Sequence, residues 1–192
     1  MDCTSPLLNV ILEMEGGAGG LTYRYTYGLE KINVAMSGNL GGSGNLNQNG
    51  IVKLWYHHDH LGTTDFLSDN VSGKVTSYVT YDDWGNPTAK AILKMGVREL
   101  DLVLEYTSYP YDQVLGIYFA QARMYDAADR RFMAVDPVKG SIVNPMTMVQ
   151  YTYVLDNPIK YVDPLGLAVN PYNAIRSNIN WANVGLQKHN GT

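Results

Sequence analysis

A tyrosine followed by an aspartate, standing at the end of a strand-like run, recurs along this chain. It reads Tyr81-Asp82-Asp83-Trp84-Gly85-Asn86, then Tyr111-Asp112-Gln113-Val114-Leu115-Gly116, and again at Tyr125-Asp126. Each part has a physical use. The tyrosine ends a strand on its packed face, the aspartate side chain caps the turn, and glycine takes a positive φ. Repeats of this kind build quasi-linear arrays of hairpins that stack on their neighbours. The composition agrees, with 15 Tyr against 3 Phe and with 19 Gly among 192 residues. Tyrosine favours strands and suits a half-exposed sheet, since one end is apolar and the other forms hydrogen bonds.

The rest of the chain reads as a meander of hairpins. Leu21, Tyr23, Tyr25 and Tyr27 alternate with Thr22, Arg24 and Thr26, the period of a half-buried strand. Residues 16–20 are a glycine-rich break, and residues 37–50 a Gly/Ser/Asn loop without packing material. Further strands are expected at Ile51 to Tyr56, Thr64 to Leu67, and Val75 to Tyr81, the last with Val75, Ser77, Val79 and Tyr81 on one face. Leu102 to Tyr106 and Ile117 to Tyr125 continue the series, with turns at residues 83–87 and 109–112. No helical period precedes residue 168. The fold class is all-β.

Composition excludes several roles. The net charge is −4 and charged residues are 17%, so no basic excess draws a nucleic-acid backbone. The single Cys3 forms no internal disulfide. Leu7 to Leu12 is broken by Asn9 and too short to span a bilayer, and Met1-Asp2-Cys3 begins no signal peptide. The run His57-His58-Asp59-His60 places two imidazoles on one strand face, short of the roughly three or four ligands that zinc takes. No metal and no cofactor are expected. Arg123, Arg130 and Arg131 form a small basic group suited to pairing with Asp126, Asp129 or Asp136.

Residues 136–167 are built differently. Asp136-Pro137-Val138-Lys139-Gly140 opens the segment and Asp163-Pro164-Leu165-Gly166-Leu167 closes it, with a strand-like Val149 to Leu155 between. Four prolines and two glycines hold this backbone at many points. Two readings stand side by side. In one, both Asp-Pro units are β-turns with Asp first and Pro second. In the other, the two carboxyl groups meet and share a proton. The ionised member then activates water and the neutral one protonates a leaving amide.

These motifs resemble the Rhs (YD-repeat) proteins, specifically their repeat-associated core, from about Leu54 to Leu167. The resemblance is carried by Tyr56-His57-His58-Asp59-His60-Leu61-Gly62-Thr63, by Tyr81 to Pro87, and by the run Gly116 to Asp126. It continues through Arg131-Phe132 into Asp136-Pro137, and through Tyr151 to Leu167, which reads YTYVLDNPIKYVDPLGL. It implies a partial shell of YD-type hairpins, closed by a turn-rich C-terminal plug, in a bacterial polymorphic toxin. It also implies an aspartyl autoprotease that cuts after the second motif, at Leu167–Ala168. Asp136 and Asp163 would be the catalytic pair and Arg131 their charge partner, with Pro137, Gly140, Pro164 and Gly166 shaping the motif turns. The first motif has one residue more than the second.

The implied partners are an upstream shell, in the same or a separate chain, and a C-terminal toxin cargo. The parent would be secreted or displayed at the cell surface. The expected organisation is a preceding repeat strand and loop over 1–50, core hairpins over 51–135, the plug over 136–167 and a tail over 168–192. In the tail Tyr172, Ile175, Ile179, Ala182 and Leu186 mark a short amphipathic helix. With few repeats to support the site, the chain is expected to cut poorly by itself. Two alternatives remain: a shell-closing segment without chemistry, and a carbohydrate-binding surface module.

Overall fold

The computed structural model describes residues 12–14, 20–27, 31–38, 47–48, 50–95, 98–100, 103–140, 142–143 and 145–171. The first eight strands are β1 (Leu12–Met14), β2 (Leu21–Tyr27), β3 (Lys31–Gly38), β4 (Asn47–Gln48), β5 (Ile51–His58), β6 (Thr64–Asp69), β7 (Val75–Tyr81) and β8 (Pro87–Ala91). They form one antiparallel sheet in the order β1-β2-β3-β5-β6-β7-β8, with β4 on β5. A small hairpin follows, β9 (Leu93–Met95) with β10 (Arg98–Leu100).

The second sheet is β11 (Glu105–Tyr106), β12 (Tyr109–Asp112), β13 (Ile117–Ala120), β14 (Arg123–Asp126) and β15 (Arg131–Phe132), each paired with the next. Last come β16 (Tyr161–Val162) and β17 (Asn170–Pro171), paired antiparallel. The fold is all-β.

Alternation decides which faces are buried. Leu21, Tyr23 and Tyr25 of β2 pack with Val34, Met36, Val52, Leu54 and Leu67 in the core of the first sheet. A second core holds Tyr106, Tyr109, Tyr118, Tyr125, Tyr153 and Phe132. Tyr81 and Tyr111 touch both cores and join them. Glu105 adds a polar joint, pairing with Lys31 of β3 and accepting from Thr64 Oγ1 at 3.3 Å.

A tyrosine core is tolerable only if its hydroxyls find acceptors, since a buried unpaired hydroxyl costs about 1–3 kcal/mol. Three of them grip one turn. Tyr106, Tyr125 and Tyr118 donate to the carbonyls of Asp83, Trp84 and Gly85 at 2.8, 2.8 and 2.7 Å. This close approach requires Gly85: a Cβ there would lie 2.5 Å from the Tyr106 ring. The aspartates act as turn caps. Asp82 Oδ1 accepts from Trp84 and Asn86, Asp112 Oδ1 from Val114 and Leu115, and Asp126 Oδ1 from Ala128 and Asp129.

Several local expectations are corrected. The expected strand from Ile117 to Tyr125 is a hairpin, β13–β14, turning at Gln121, whose φ is 63°. Gln121 carries no turn signal by residue type. Residues 109–112 form β12 rather than a turn. The turn lies one step earlier, at Thr107 and Ser108, whose φ values are 50° and 66°. Of the expected strand at Leu102 to Tyr106, β11 occupies the last two residues.

Val149 to Leu155 is not a strand. Thr152 makes a single bridge with Arg131, and the chain then enters a left-handed turn at Val154, Leu155 and Asp156. Val75 is 55% exposed at the start of β7, while Ser77 and Val79 are buried as the alternation requires. The strands β3, β8, β9 and β10 carry no strong alternation signal. The amphipathic helix lies outside the described residues, as do residues 16–19 of the glycine-rich break and most of the 37–50 loop.

Candidate functional site

Arg123 occupies the first position of β14, just past the Gln121-Ala122 turn. Alternation puts it on the same face as Tyr125, so its side chain enters the core and is only 3% exposed. The guanidinium stacks on Phe132, 3.6 Å from the ring centre. Nε donates to the Gly166 carbonyl at 2.6 Å and Nη1 to the Gln150 carbonyl at 3.4 Å. Nη2 reaches both motif acids: Asp136 Oδ2 at 3.1 Å and Asp163 Oδ2 at 3.2 Å. The two Asp-Pro motifs therefore converge on one nitrogen.

Asp136 arrives on a loop held against the returning chain. Phe132 N–H donates to the Tyr151 carbonyl and Asp136 N–H to the Gln150 carbonyl, both at 2.9 Å. Asp136 Oδ1 accepts the Val138 amide at 2.7 Å, a local turn contact with Pro137 inside it. Gly140 closes the loop against residue 147: a Cβ there would lie 2.1 Å from the Thr147 carbonyl oxygen. The longer first motif still delivers its acid to the guanidinium.

Asp163 follows β16 directly. Its carbonyl accepts the Gly166 amide at 3.1 Å, closing a turn over Pro164, and also accepts the Tyr109 hydroxyl. Its Oδ1 accepts the amides of Leu167 at 2.8 Å and of Ala168 at 2.9 Å. Gly166 has φ +65°, and a Cβ on it would lie 2.4 Å from the Ala120 carbonyl oxygen. The Ala122 amide donates to the Leu165 carbonyl at 3.1 Å, so the second motif is seated on the β13–β14 turn. Asp163 thus closes a β-turn and at the same time shares the Arg123 cation with Asp136.

The environments of the two acids differ. The Asp163 side chain is 2% exposed and that of Asp136 is 23% exposed. Burial pushes the Asp163 carboxyl above its ordinary range, and the neighbouring charge of Asp136 adds to this. The amides of Ala168 and Leu167 and the Arg123 cation oppose the rise without cancelling it.

Arg131 lies elsewhere. Its Nη2 donates to Asp129 Oδ2 at 2.8 Å, and both side chains are 56% exposed. The arginine at the acid pair is Arg123. Its signal in the sequence is its register, two residues before the packed Tyr125. The histidines are each engaged locally. His57 stacks on Phe66 and meets Ser68 Oγ at 2.8 Å, His58 stacks on Tyr56, and His60 approaches the Ile159 carbonyl at 3.4 Å. Among the described residues, no three of His, Cys, Asp or Glu are placed to hold a metal ion. No helix among them is long and apolar enough to cross a membrane.

No family model matches the chain. It is 34% identical over 150 residues to the tRNA(Glu)-specific nuclease WapA of Bacillus subtilis subsp. natto, covering 72% of this chain and 6% of that protein. It is 34% identical over 162 residues to the tRNA3(Ser)-specific nuclease WapA of Bacillus spizizenii, covering 83% of this chain and again 6% of the relative. The chain therefore spans a small part of these curated relatives.

Among solved structures, the crystal structure of TcdB2-TccC3 aligns with a TM-score of 0.63 at 19% identity, over 82% of this chain and 8% of that one. The Photorhabdus luminescens Tc holotoxin pore aligns with a TM-score of 0.62 at 18% identity, over 82% of this chain and 7% of that one. At such identities the likeness is one of fold. The sequence similarity to the WapA proteins and the shared all-β fold together support a relationship of this chain to the Rhs family.

Proposed function

We propose that this chain is the C-terminal core of an Rhs-type toxin-enclosing protein, and that Asp136 and Asp163 hydrolyse the Leu167–Ala168 bond of their own chain. The observation that carries this reading is the position of the Asp163 carboxyl group. Oδ1 accepts the amides of Leu167 and Ala168, while Oδ2 shares the Arg123 Nη2 atom with Asp136 Oδ2. One carboxyl group thus touches the nitrogen of the bond to be cut and also the electrostatic centre of the pair.

The roles follow from environment. Asp163, buried and with a raised pKa, takes up a proton more readily than an ordinary carboxylate; its Oδ1 accepts the Ala168 N–H in the resting chain, and once the carbonyl carbon has become tetrahedral the protonated carboxyl group delivers its proton to that nitrogen as general acid. Asp136 is more exposed and is the acid that water can reach, so it serves as general base. Arg123 carries a charge it does not lose, which keeps one carboxylate ionised while the other is protonated. Gly166, with its carbonyl on Arg123 Nε and no room for a Cβ, holds the segment before the bond in register. Proton transfer of this kind contributes about 10²–10⁴-fold, and positioning adds to it.

In this reading the segment after Leu167 leads into the toxin cargo of a longer secreted parent, and the upstream shell completes the enclosure. A static reading has its own support. Asp82, Asp112 and Asp126 accept turn amides much as Asp163 does, and a shell-closing turn needs no more. Intact mass measured under denaturing conditions, on the protein as the cell makes it, separates the two. Autoproteolysis predicts two pieces divided after Leu167, and a single piece in Asp163→Asn and Asp136→Asn. An undivided wild type leaves the static reading standing and removes the enzymatic one.

A further inference from the structure

The residues after the Leu167–Ala168 bond do not lead away from the acid pair. The Ala168 amide donates to Asp163 Oδ1 at 2.9 Å. Val169 packs against the tyrosine core. Asn170 and Pro171, as β17, pair with Val162 and Tyr161 of β16, the strand that runs directly into Asp163. Asn170 Nδ2 also donates to the Ala168 carbonyl at 2.9 Å, which stiffens the segment. Residues 168–171 are therefore held at a carboxylate, at an apolar seat and along a strand edge, all on the side of the bond that a cut would free.

Hydrolysis changes the chemistry of the first of these holds. One water is consumed. Its oxygen bonds to the Leu167 carbonyl carbon, the C–N bond breaks, and the electron pair of that bond stays on the Ala168 nitrogen, which takes up both protons of the water, one as the bond breaks and one once the amine is free. The products are a carboxylate at Leu167 and an α-ammonium at Ala168, created together, so the net charge of the site is unchanged. An α-amino group has a pKa of about 7.7–8.0, so the new terminus is mostly cationic at neutral pH. The neutral amide donor beside Asp163 becomes a charged one, and a charge-assisted hydrogen bond is roughly twice as strong as a neutral one. Asp163 is almost wholly buried, so salt screens this pair little.

We propose that Asp163, the Val169 seat on the tyrosine core and the β16 edge together form a binding site for the new N-terminus, one that recognises an α-ammonium followed by an extended apolar peptide. Cutting and release are then separate events. The cleaved tail stays docked until something competes for the site. This inference rests on the autoprotease reading, and its test separates the two.

The protein as the cell makes it is examined under denaturing and native conditions. Two pieces by denaturing mass and one particle by native mass are expected. The peptide Ala-Val-Asn-Pro-Tyr with a free amine, at millimolar concentration, displaces the tail from cut molecules, whereas its N-acetyl counterpart does not. In Val169→Asp, scored only on molecules already cut, the tail leaves at least about tenfold faster. Displacement by both peptides alike, retention unaffected by Val169→Asp, or immediate loss of the wild-type tail overturns the inference.

If the wild type stays in one piece when denatured, the autoprotease reading fails by itself. The docking site is then read from amide exchange in the uncut chain. Slow exchange across residues 168–170, comparable to β14, supports it; exchange at the rate of an unstructured peptide overturns it.

Discussion

Replacing Arg123 by methionine keeps a long apolar stem and removes the cation that touches both acids. The loss can be worked from the contacts. Asp163 is 2% exposed and Arg123 is its ion-pair partner, alongside two backbone amides. Deleting one member of a buried pair costs about 3–5 kcal/mol because the other charge is left behind. In this variant Asp163 escapes part of that cost by holding its proton. Its folded-state pKa, already raised by burial, then rises further as the opposing Arg123 field is lost.

The sign of the pH effect follows. An acid whose folded pKa lies above the unfolded value of about 3.9 stabilises the fold relative to neutral pH once the pH drops below both values. The penalty of the substitution is therefore full near neutrality and shrinks on acidification. A remainder of about 2 kcal/mol persists at low pH from the unpaired carbonyls of Gly166 and Gln150 and the lost stacking on Phe132.

Urea titrations of wild type and Arg123→Met at pH 7 and near pH 4, followed by tryptophan fluorescence, measure both terms. With an m-value of about 2 kcal/mol/M, the midpoint falls by about 2 M at neutral pH and by half of that or less in acid. Arg123→Lys recovers little, because lysine lacks the fork that serves Gly166 and the acids together. A penalty below about 1 kcal/mol at pH 7, or one that is the same at both pH values, refutes the assignment of Arg123 as the buried counter-ion.

Three further outcomes are expected. The autoproteolytic rate falls as pH rises through the elevated Asp163 pKa, because the ionised acid no longer protonates the leaving nitrogen; single-turnover rates that increase steadily with pH would contradict that role. Gly166→Ala places a Cβ 2.4 Å from the Ala120 carbonyl oxygen at a φ of +65°. Thermal melts should show a loss of about 2–3 kcal/mol, with cutting slowed as the Gly166 carbonyl shifts off Arg123; an unchanged melting temperature counts against the geometry. Gln121→Gly relieves a left-handed residue in the β13–β14 turn, so it should stabilise the chain by about 1 kcal/mol, read by the same melts, and a destabilised variant would show that the Gln121 side chain has a packing role.

Much of the architecture is legible wherever side-chain period and turn chemistry agree. β2 buries Leu21, Tyr23 and Tyr25 as its alternation demands, and Asp82 caps its turn as the Tyr-Asp-x-x-Gly spacing demands. Legibility fails where the backbone adopts a conformation that residue type does not announce. Gln121 takes a positive φ, so an apparent strand becomes a hairpin, and Val154 to Asp156 turn left-handed inside an apparently extended run. These departures surround the acid pair. The Gln121 turn carries Arg123 into the core, and the left-handed turn lies between the two segments that deliver Asp136 and Asp163.

The sequence by itself determined an all-β chain of tyrosine-capped hairpins and the two Asp-Pro motifs as the chemically notable residues; the bond after the second motif was singled out only by the resemblance to the Rhs proteins. These are local properties, set by side-chain period, by the carboxylate that accepts nearby amides, and by proline and glycine geometry. Only the tertiary structure decided that Arg123 rather than Arg131 sits between the acids, that Asp163 reaches the amides on both sides of that bond, and that the following strand folds back beside it. Those facts depend on which face of β14 is buried and on contacts between residues far apart in the chain. Burial and long-range pairing are settled by the packing of the whole, where desolvating a charge is tolerated only if a partner arrives from elsewhere.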